Sequence, residues 1–370
     1  MDEREIYACW LAHIPDLGNK TIKKLTEYAG GEKEIYRLAA KEAEKILSPK
    51  KLERFLLWQR KQEPKRLWEE LEKRKIRFAP FFSKEYPERL KNIPDAPYAL
   101  FFRGEPEKMP ERLVAVIGAR ECSPYGSFLA EHIGRKLAQK GTGVVSGLAR
   151  GIDGITQKAA ILAGGFTAGV LGCGVDVCYP AENRSLYESC AKQGLLVSEY
   201  PPGTRPLAWR FPPRNRLISG LSDAVVVVEA REKSGTFITV DMALEQGREI
   251  FVVPGRITDP LSRGCNRLIG QGASVFSSVE ELLESLDGRM TKKEAVLAET
   301  EKKRLHGELM SRIYELCDFD PRSFTDFLQS LSEETGKESV SPGKLAENLM
   351  ELQLLGLVGE KGQGYYYRKK

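Results

Sequence analysis

Seven short apolar runs, separated by longer amphipathic stretches, constrain the fold of this chain more than any other feature. The runs are rich in β-branched residues and carry no polar alternation; they fall at residues 114–117, 144–145, 168–171, 195–197, 224–228, 250–253 and 274–276. Strands that are apolar on both faces belong to parallel sheets covered by helices on both sides. The pattern predicts a doubly wound, Rossmann-like α/β domain in the middle of the chain.

Helix signals lie between these runs. Ser123 before Pro124 is an N-cap followed by proline at the first helical position, and Gly141 follows the last turn. We expect Asp153 to cap the next helix, which the glycines at 164–165 end, and Gly247 to end the helix that follows Thr236.

A chain of 370 residues is too long for one compact core and predicts about two or three domains. In the first stretch, apolar residues recur at the three- and four-residue steps of a helix. Residues 76–104 show no such period and contain several prolines, and residues 289–303 are densely charged. The tail predicts a helix, a strand, a glycine turn and an aromatic strand, as in a winged helix. The expected domains are a helical domain at 1–75, an α/β domain at 76–288 with a connector at 76–112, a linker at 289–304, and a winged-helix-like domain at 305–370.

Both ends carry features that bear on DNA binding. Residues 14–21 are similar to the turn of a helix-hairpin-helix motif, whose backbone amides hold a DNA phosphate, but Asp16 stands where that turn usually has glycine. The acid favours a packing or partner-docking role there. Glu347 and Glu351 lie in the expected recognition region of the tail's winged helix and argue against tight duplex binding, so protein contact is an equal alternative.

Composition excludes several classes of protein. The seven cysteines form no C-x-x-C pair and the three histidines are far apart, so no metal site, no cofactor and no disulfide framework is predicted. No apolar run approaches the roughly 18 residues of a membrane span, and the first residues are charged, so we expect a cytoplasmic protein. Residues 1–78 hold 19 Lys+Arg against 14 Asp+Glu, out of totals of 57 and 52, which leaves 38 against 38 in the remainder. Anion sites beyond the first domain must therefore come from local clusters.

Such clusters follow the predicted strands. Glycine-rich turns at 118–120, 146–153 and 172–174, and the turn at 229–236, all come where a strand ends. In an open parallel sheet these carboxyl ends share one edge, where ligands bind, and helix N-termini there favour anions. We expect Arg120, Arg150 and Lys233 to converge at this edge. The turn after Ile117 lacks G-x-G-x-x-G, and the chain contains no P-loop sequence, so neither a dinucleotide site nor a P-loop nucleotidase is expected.

Residues 205–216 form a second cluster, with four arginines and two aromatic residues and no acid between Pro201 and Ser222. Arginine forks match phosphate oxygens, and aromatic rings stack on unpaired bases. Because duplex bases offer no open face, this combination favours single-stranded nucleic acid.

The chain resembles the DNA-processing protein A family (DprA, also called Smf). The matching stretches run in family order: Tyr86–Leu90, Val116–Arg120, Ser146–Asp153, Leu171–Gly174 with Tyr179–Pro180, Ser198–Glu199, Phe211–Ile218, Ser234–Thr236 and Val253–Gly255. The resemblance implies an extended Rossmann-like fold, single-stranded DNA binding, homodimerisation through the Rossmann-like domain, and loading of a RecA-type recombinase onto incoming DNA in natural transformation. The DNA-binding residues expected from the resemblance and from the two clusters are Gly118, Arg120, Arg150, Phe211, Arg214, Asn215, Arg216, Lys233, Ser234, Gly235 and Thr236, with Arg205, Trp209 and Arg210 as additional candidates.

Two other classes of function remain as alternatives. The fold also resembles nucleoside-monophosphate phosphoribohydrolases, whose glycine-rich stretch ends in a catalytic glutamate; here a threonine or an apolar residue takes that position, so Glu229 or Glu245 would have to supply the acid. A pure interaction scaffold would not need the arginine-lined edge. We therefore expect a non-catalytic DNA mediator. Charge reversal at Arg120 or Arg214 should abolish binding with the fold intact, whereas residues 225–228 should be core.

Overall fold

The structure is a computed structural model that describes residues 2–287, 308–317, 321–335, 340–355, 357–362 and 364–368. The chain forms two compact units, Met1–Leu286 and Asp287–Lys370. The predicted linker at 289–304 lies outside the described residues.

The first unit begins with six helices. They are α1 (Glu3–Ala12), α2 (Asn19–Ala29), α3 (Glu32–Tyr36), α4 (Ala40–Ala43), α5 (Pro49–Lys61) and α6 (Pro64–Lys73). Trp10 and Phe55 are fully buried at their centre, with ring centroids 5.8 Å apart. The same apolar cluster includes Phe78 and Phe101, so the helices share their core with the edge of the sheet that follows.

All seven predicted strands form, and two further strands precede them. The strands are β1 (Arg77–Pro80), β2 (Ala99–Gly104), β3 (Leu113–Ile117), β4 (Gly143–Ser146), β5 (Thr167–Val170), β6 (Leu195–Ser198), β7 (Ala224–Val227), β8 (Glu249–Val252) and β9 (Ser274–Val275). Their order in the sheet is β1-β2-β6-β5-β4-β3-β7-β8-β9. The six strands from β6 to β8 and the short β9 are parallel, and only β1 and β2 run antiparallel to their neighbours.

The two extra strands lie inside the segment that the sequence predicts as a connector. Four prolines and the absence of a helical period predict an irregular segment at residues 76–104, yet β1 and β2 extend the sheet from β6. Pro80 ends β1, and the other three prolines fall between the strands. β2 pairs with distant β6, and β1 pairs with β2; no local sequence signal reveals the pairing with β6.

The central strands are buried on both faces because successive side chains point to opposite sides of the sheet. Val225 and Val227 contribute to one core, with residues of the helix at 211–221. Val114 and Val226 contribute to the other core, with residues of the helix at 124–139. Both faces are therefore covered by helices, as the continuous apolar runs predict.

The helices of this part alternate with the strands. They are α7 (Glu88–Lys91), α8 (Pro124–Gln139), α9 (Ile152–Leu162), α10 (Arg184–Gln193), α11 (Phe211–Leu221), α12 (Thr236–Glu245), α13 (Arg263–Gly270) and α14 (residues 279–287). Ser123 caps α8 by accepting a hydrogen bond from the Gly126 amide at 3.0 Å. The predicted cap at Asp153 is wrong: Gly151 is the N-cap of α9, and Asp153 lies in its first turn, where the carboxylate accepts from the Gly147 amide instead.

The helix-hairpin-helix-like turn connects α1 to α2. Asp16 adopts a left-handed conformation with φ of 60°, which explains why glycine is usual at this position. Its carboxylate is paired with Arg54 of α5, so part of the expected repulsion of phosphate is neutralised.

The second unit contains α15 (Glu308–Leu316), β10 (Arg322–Ser323), α16 (Phe324–Thr335), α17 (Pro342–Leu354), β11 (Val358–Glu360) and β12 (Tyr365–Arg368). Its strands pair in the order β10-β12-β11, and Phe327, Leu349 and Val358 are buried in its core. Its winged-helix assignment stays a prediction. Across the described parts of the chain, no helix is both long and apolar enough to cross a membrane.

Candidate nucleic-acid interface

The strand order reverses between β3 and β7. From β3 the chain winds outward through β4, β5 and β6, then returns through α11 to β7 on the opposite side of β3 and continues to β8. At such a point the turns that leave the two strands diverge and open a crevice at their carboxyl ends. Here the two turns are residues 118–120, after β3, and residues 229–235, after β7.

A cleft of about 570 Å³ occupies this position, and we call it the rim cleft. Five segments line it: residues 117–120 at the end of β3, residues 149–153 at the start of α9, Tyr179, residues 206–218 in and before the first turns of α11, and residues 233–239 at the start of α12. Its lining residues are Ile117, Gly118, Ala119, Arg120, Ala149, Asp153, Tyr179, Pro206, Ala208, Phe211, Pro212, Arg214, Asn215, Ile218, Lys233, Ser234, Gly235, Thr236, Ile238 and Thr239. Among the eleven principal residues predicted to bind DNA, only Arg150 and Arg216 are outside this set.

Two helices point their N-termini toward the rim cleft. In α12 the Ser234 hydroxyl accepts from the Thr236 amide at 3.2 Å, while the amides of Ser234 and Gly235 have no acceptor among the described residues. In α9 the N-cap Gly151 has φ of +72°, and a Cβ there would lie 2.2 Å from the Ala119 carbonyl. Only glycine lets this loop pack so closely on the turn after β3. The arrangement suits an anion, because helix N-termini present N–H groups and the positive end of the helix dipole.

Arg120 and Lys233 supply positive charge at the mouth of the cleft. Both side chains are exposed, and within the described part of the chain neither has a carboxylate partner. Their charges are therefore available to a ligand.

Arg214 supplies positive charge at the floor. It is only 5% exposed, and its guanidinium donates to the carbonyl of Gly147 at 3.1 Å and to that of Val170. Burial lowers the pKa of Arg214 to about 10, and the nearby Asp153 carboxylate opposes this shift. A Cβ on Gly147 would lie 2.6 Å from this guanidinium, so the glycine of the turn after β4 makes room for it.

The burial of Arg214 changes one expectation. Its charge faces the buried Asp153, whose own pKa burial raises and Arg214 lowers. Removing the guanidinium would leave an uncompensated carboxyl group and two unpaired carbonyls. The prediction that charge reversal at Arg214 leaves the fold intact therefore does not suit this environment, and it remains reasonable only for exposed Arg120.

An aromatic wall closes one side of the rim cleft. Phe211, at the start of α11, stacks on Tyr179 with centroids 5.3 Å apart and an interplanar angle of 29°. A Cβ on Gly172 would be 2.8 Å from the Phe211 ring, so glycine after β5 lets the ring approach the backbone. Tyr179 is 46% exposed. It is not among the site residues predicted from the sequence, although it lies in a stretch that matches the family. The available signal is its position after β5, the third of the predicted strands.

Arg216 lies outside the rim cleft. Its guanidinium makes a two-pronged ion pair with Glu199, with both distances 2.7 Å, and also donates to the carbonyls of Pro213 and Asp95. Burial disfavours its charge, but the contact with Glu199 outweighs burial and raises the pKa of Arg216. No acid lies between Pro201 and Ser222 in the sequence, and the partner, Glu199, comes just before this segment. We therefore do not carry Arg216 into the proposed phosphate contacts.

The other predicted arginines also lie outside the rim cleft. Arg150 is exposed beside the cleft and is paired with exposed Glu182. The additional candidates Arg205, Trp209 and Arg210 do not line the rim cleft; Arg210 lies over the Trp209 ring at 4.7 Å and donates to the Arg205 carbonyl at 2.6 Å.

The rim cleft lacks a positioned acid for glycosidic chemistry. Thr239 lines it at the position where phosphoribohydrolases carry glutamate. Glu229 accepts from the Ser123 amide at 2.9 Å and from its hydroxyl at 2.5 Å, so it holds the capping residue of α8, and Glu245 is exposed at the last residue of α12. Asp153 is the one carboxyl group among the lining residues, and it is held by the Gly147 amide. In the described residues no cluster of three or more His, Cys, Asp or Glu could hold a metal ion.

Comparison with known proteins identifies relatives of this chain. A family model described as DNA recombination-mediator protein A matches residues 77–287, which is more than half the chain. The chain is 45% identical over 215 residues to the DNA processing protein DprA of Bacillus subtilis, covering 58% of this chain and 72% of that protein. It is 43% identical over 198 residues to DprA of Streptococcus pneumoniae, covering 54% of this chain and 70% of that protein.

Two solved structures of DNA processing protein A are also similar to this chain. The X-ray structure of DNA processing protein A from Streptococcus pneumoniae aligns with a TM-score of 0.65 and 36% identity, covering 77% of this chain and 98% of that one. The structure of DNA processing protein A from Helicobacter pylori, described as revealing a unique single-stranded DNA binding mode, aligns with a TM-score of 0.53 and 29% identity, covering 58% of this chain and 97% of that one.

Proposed function

The chain belongs to the DNA recombination-mediator protein A family, and on that premise we propose that it binds single-stranded DNA in the rim cleft and loads a RecA-type recombinase onto the strand. The protein would act in DNA processing during recombination and natural transformation, without catalysing a reaction itself.

The observation that carries the proposal is the combination of unpaired charge and aromatic surface in one cleft. Arg120 and Lys233 are exposed cations with no carboxylate partner in the described part of the chain, and Phe211 stands beside them on Tyr179. A strand whose phosphates contact the cations can turn a base toward the rings. Stacking contributes about 1–3 kcal/mol per base, and because every base has an aromatic face it imposes little sequence preference.

Each lining group has a distinct role in this proposal. Arg120 and Lys233 neutralise phosphates, and the amides at Ser234 and Gly235 donate to phosphate oxygens at the start of α12. Buried Arg214 adds positive potential from below and holds the turn after β4 in place through the Gly147 carbonyl. Asn215, which also lines the cleft, offers a neutral donor and acceptor. Duplex DNA would bind less well, because its bases are stacked on each other and cannot reach Phe211.

The recombinase partner and a homodimer through the Rossmann-like domain are part of the same proposal and rest on the resemblance to the family. The relatives are named as DNA processing proteins and the family as recombination mediators, which supports a role in handing DNA to a recombinase. We assign no residues to either protein contact.

The test is fluorescence anisotropy of a labelled oligothymidine with wild-type protein, in the presence of excess duplex competitor. We expect binding that survives the duplex and weakens as salt is raised. Equal competition by duplex would contradict stacking of an unpaired base, and no binding at low salt would overturn the proposal as a whole.

The phosphoribohydrolase alternative has no observation in its favour, since Thr239 replaces the catalytic acid and Glu229 is committed to the α8 cap. Incubation with purine and pyrimidine nucleoside monophosphates should release no ribose 5-phosphate. Release that is lost on substitution of Asp153 would reinstate an enzyme.

A further inference from the structure

A second cleft, of about 610 Å³, shares a wall with the rim cleft, and we call it the hairpin cleft. It is bounded by the α1–α2 turn at residues 12–19, by Trp58 of α5, by Asp95, and by residues 199–204. The shared wall is the segment at 206–213. Pro206, Ala208, Phe211 and Pro212 line the rim cleft, whereas Trp209, Arg210 and Pro213 line the hairpin cleft. A strand that leaves the rim cleft over this wall meets Trp209 next.

Trp209 is the most exposed aromatic side chain of the wall, at 59%. Its ring is held in place by Arg210, whose guanidinium lies 4.7 Å from the Trp209 centroid and 5.3 Å from that of Tyr200. Arg210 is fixed in turn by its hydrogen bond to the Arg205 carbonyl at 2.6 Å. A large, oriented and accessible ring of this kind is a stacking platform for a flat ligand.

Charge separates this cleft from the rim cleft. Three carboxylates, of Asp16, Asp95 and Glu199, face two guanidiniums, of Arg210 and Arg216. Glu199 pairs with Arg216 inside the cleft. The rim cleft has the opposite balance, with three cations and one buried carboxyl group among its lining residues. Because Asp16 is paired with Arg54 and Glu199 with Arg216, the hairpin cleft has no excess positive charge to attract a phosphate, and an uncharged aromatic group suits it better.

Two residues of the hairpin cleft also carry N–H groups that lack an acceptor among the described residues. These are Trp58 Nε1 and Arg210 Nε, both buried. An unmet buried donor costs about 1–3 kcal/mol, and a small rotation of the Trp58 ring would bring its N–H to acceptor atoms at the edge of a ligand and offset part of that cost. A flat, uncharged ring with polar edges describes a nucleobase.

We propose that the hairpin cleft holds an unpaired base of the same strand whose phosphates contact the rim cleft, with the base stacked on Trp209. The inference rests on the proposed function and extends it. The N-terminal helices would take part in DNA binding by lining the cleft that holds a base. They would not hold a phosphate at the α1–α2 turn. Asp16 is compatible with this role, since it is paired with Arg54 and need not face a phosphate.

Two pairs of variants test the proposal with a series of oligothymidines that lengthens one nucleotide at a time. Trp209→Ala removes the platform, and Phe128→Ala is its control, because Phe128 is similarly exposed, at 66%, on α8 and lines neither cleft. Gly18→Leu fills the cleft from the N-terminal side, and Gly18→Ala is its control. A Cβ at Gly18 meets no atom within 4 Å and its φ is −73°, so both substitutions should fold.

In the wild type, affinity should rise in a step at the length that first reaches the hairpin cleft. Trp209→Ala and Gly18→Leu should each lose that step, which is roughly 5- to 150-fold for one stacked base, and should bind shorter oligomers normally. The slope of log affinity against log salt should not change, because no phosphate contact is removed. The two controls should retain the step.

The outcomes separate this inference from the proposed function. If the wild type binds no oligothymidine of any length, both fail. If it binds but both variants keep the step, only the hairpin-cleft inference fails. A uniform loss at every length, or a reduced salt slope in Trp209→Ala, would place Trp209 in support of the rim cleft and would equally overturn the second base site.

Discussion

Removing Arg120 and Lys233 together should reduce both the affinity for single-stranded DNA and its dependence on salt. Both side chains are exposed and lack carboxylate partners in the described part of the chain, so the double substitution Arg120→Ala, Lys233→Ala deletes charge without breaking an ion pair. Exposed substitutions of this kind usually change stability by no more than about 0.5 kcal/mol.

The magnitude follows from counterion release. For single strands the slope of log affinity against log salt is about −0.7 per neutralised phosphate, so raising salt fourfold weakens binding about 2.6-fold per contact. Two contacts then account for about sevenfold of the wild-type loss between about 50 mM and about 200 mM salt. The double variant should bind more weakly at low salt. When salt is raised over the same range, the factor by which its affinity falls should be about one seventh of the wild-type factor.

The assay is anisotropy of a labelled oligothymidine at several salt concentrations, with unfolding curves to check the fold. Arg150→Ala is the matched control, since Arg150 is an exposed arginine near the same edge that is paired with Glu182 and does not line the cleft. A double variant with the wild-type slope would show that the phosphates lie elsewhere. If Arg150→Ala changed the slope of log affinity against log salt by about 0.7, the value for one phosphate contact, Arg150 would belong to the interface and our boundary would be wrong.

Three further outcomes test the structural argument. Arg214→Leu should destabilise the fold by about 3 kcal/mol in urea unfolding, because it removes the donor to the buried Gly147 and Val170 carbonyls and the positive charge near buried Asp153, and adding Asp153→Asn should recover part of the loss; full stability in the single variant would refute this role of Arg214. Val226→Ala should cost about 2 kcal/mol and leave the DNA affinity of the folded protein unchanged, whereas weaker binding by a fully folded variant would contradict a purely core role. Burial lowers the pKa of His13, so the unfolded chain takes up its proton first as pH falls, and stability should drop below about pH 6.5. Urea midpoints at about pH 7.5 and about pH 5.5 should show a smaller drop in His13→Asn, and an equal drop would assign the pH dependence to other groups.

Local pattern was enough to predict the sheet and the edge that carries the interface. Continuous β-branched runs predict buried parallel strands, and parallel strands place the turns at 118–120 and 229–236 at one edge whatever the detailed packing. The prediction of Arg120, Phe211, Arg214 and Lys233 around one cleft needed only that geometry and the family-like motifs.

Partners that are distant in sequence were decided by the tertiary structure. The acid that pairs with Arg216 comes from the turn after β6, and the buried contacts of Arg214 come from the turn after β4 and from the last residue of β5. Strand β2 pairs with the edge of β6 and β1 then pairs with β2, and the hairpin cleft exists because the α1–α2 turn packs beside residues 199–204. Residue type and periodicity determine which groups reach an edge of the sheet, but whether a charge there is free or already neutralised depends on groups brought together by folding across long stretches of chain.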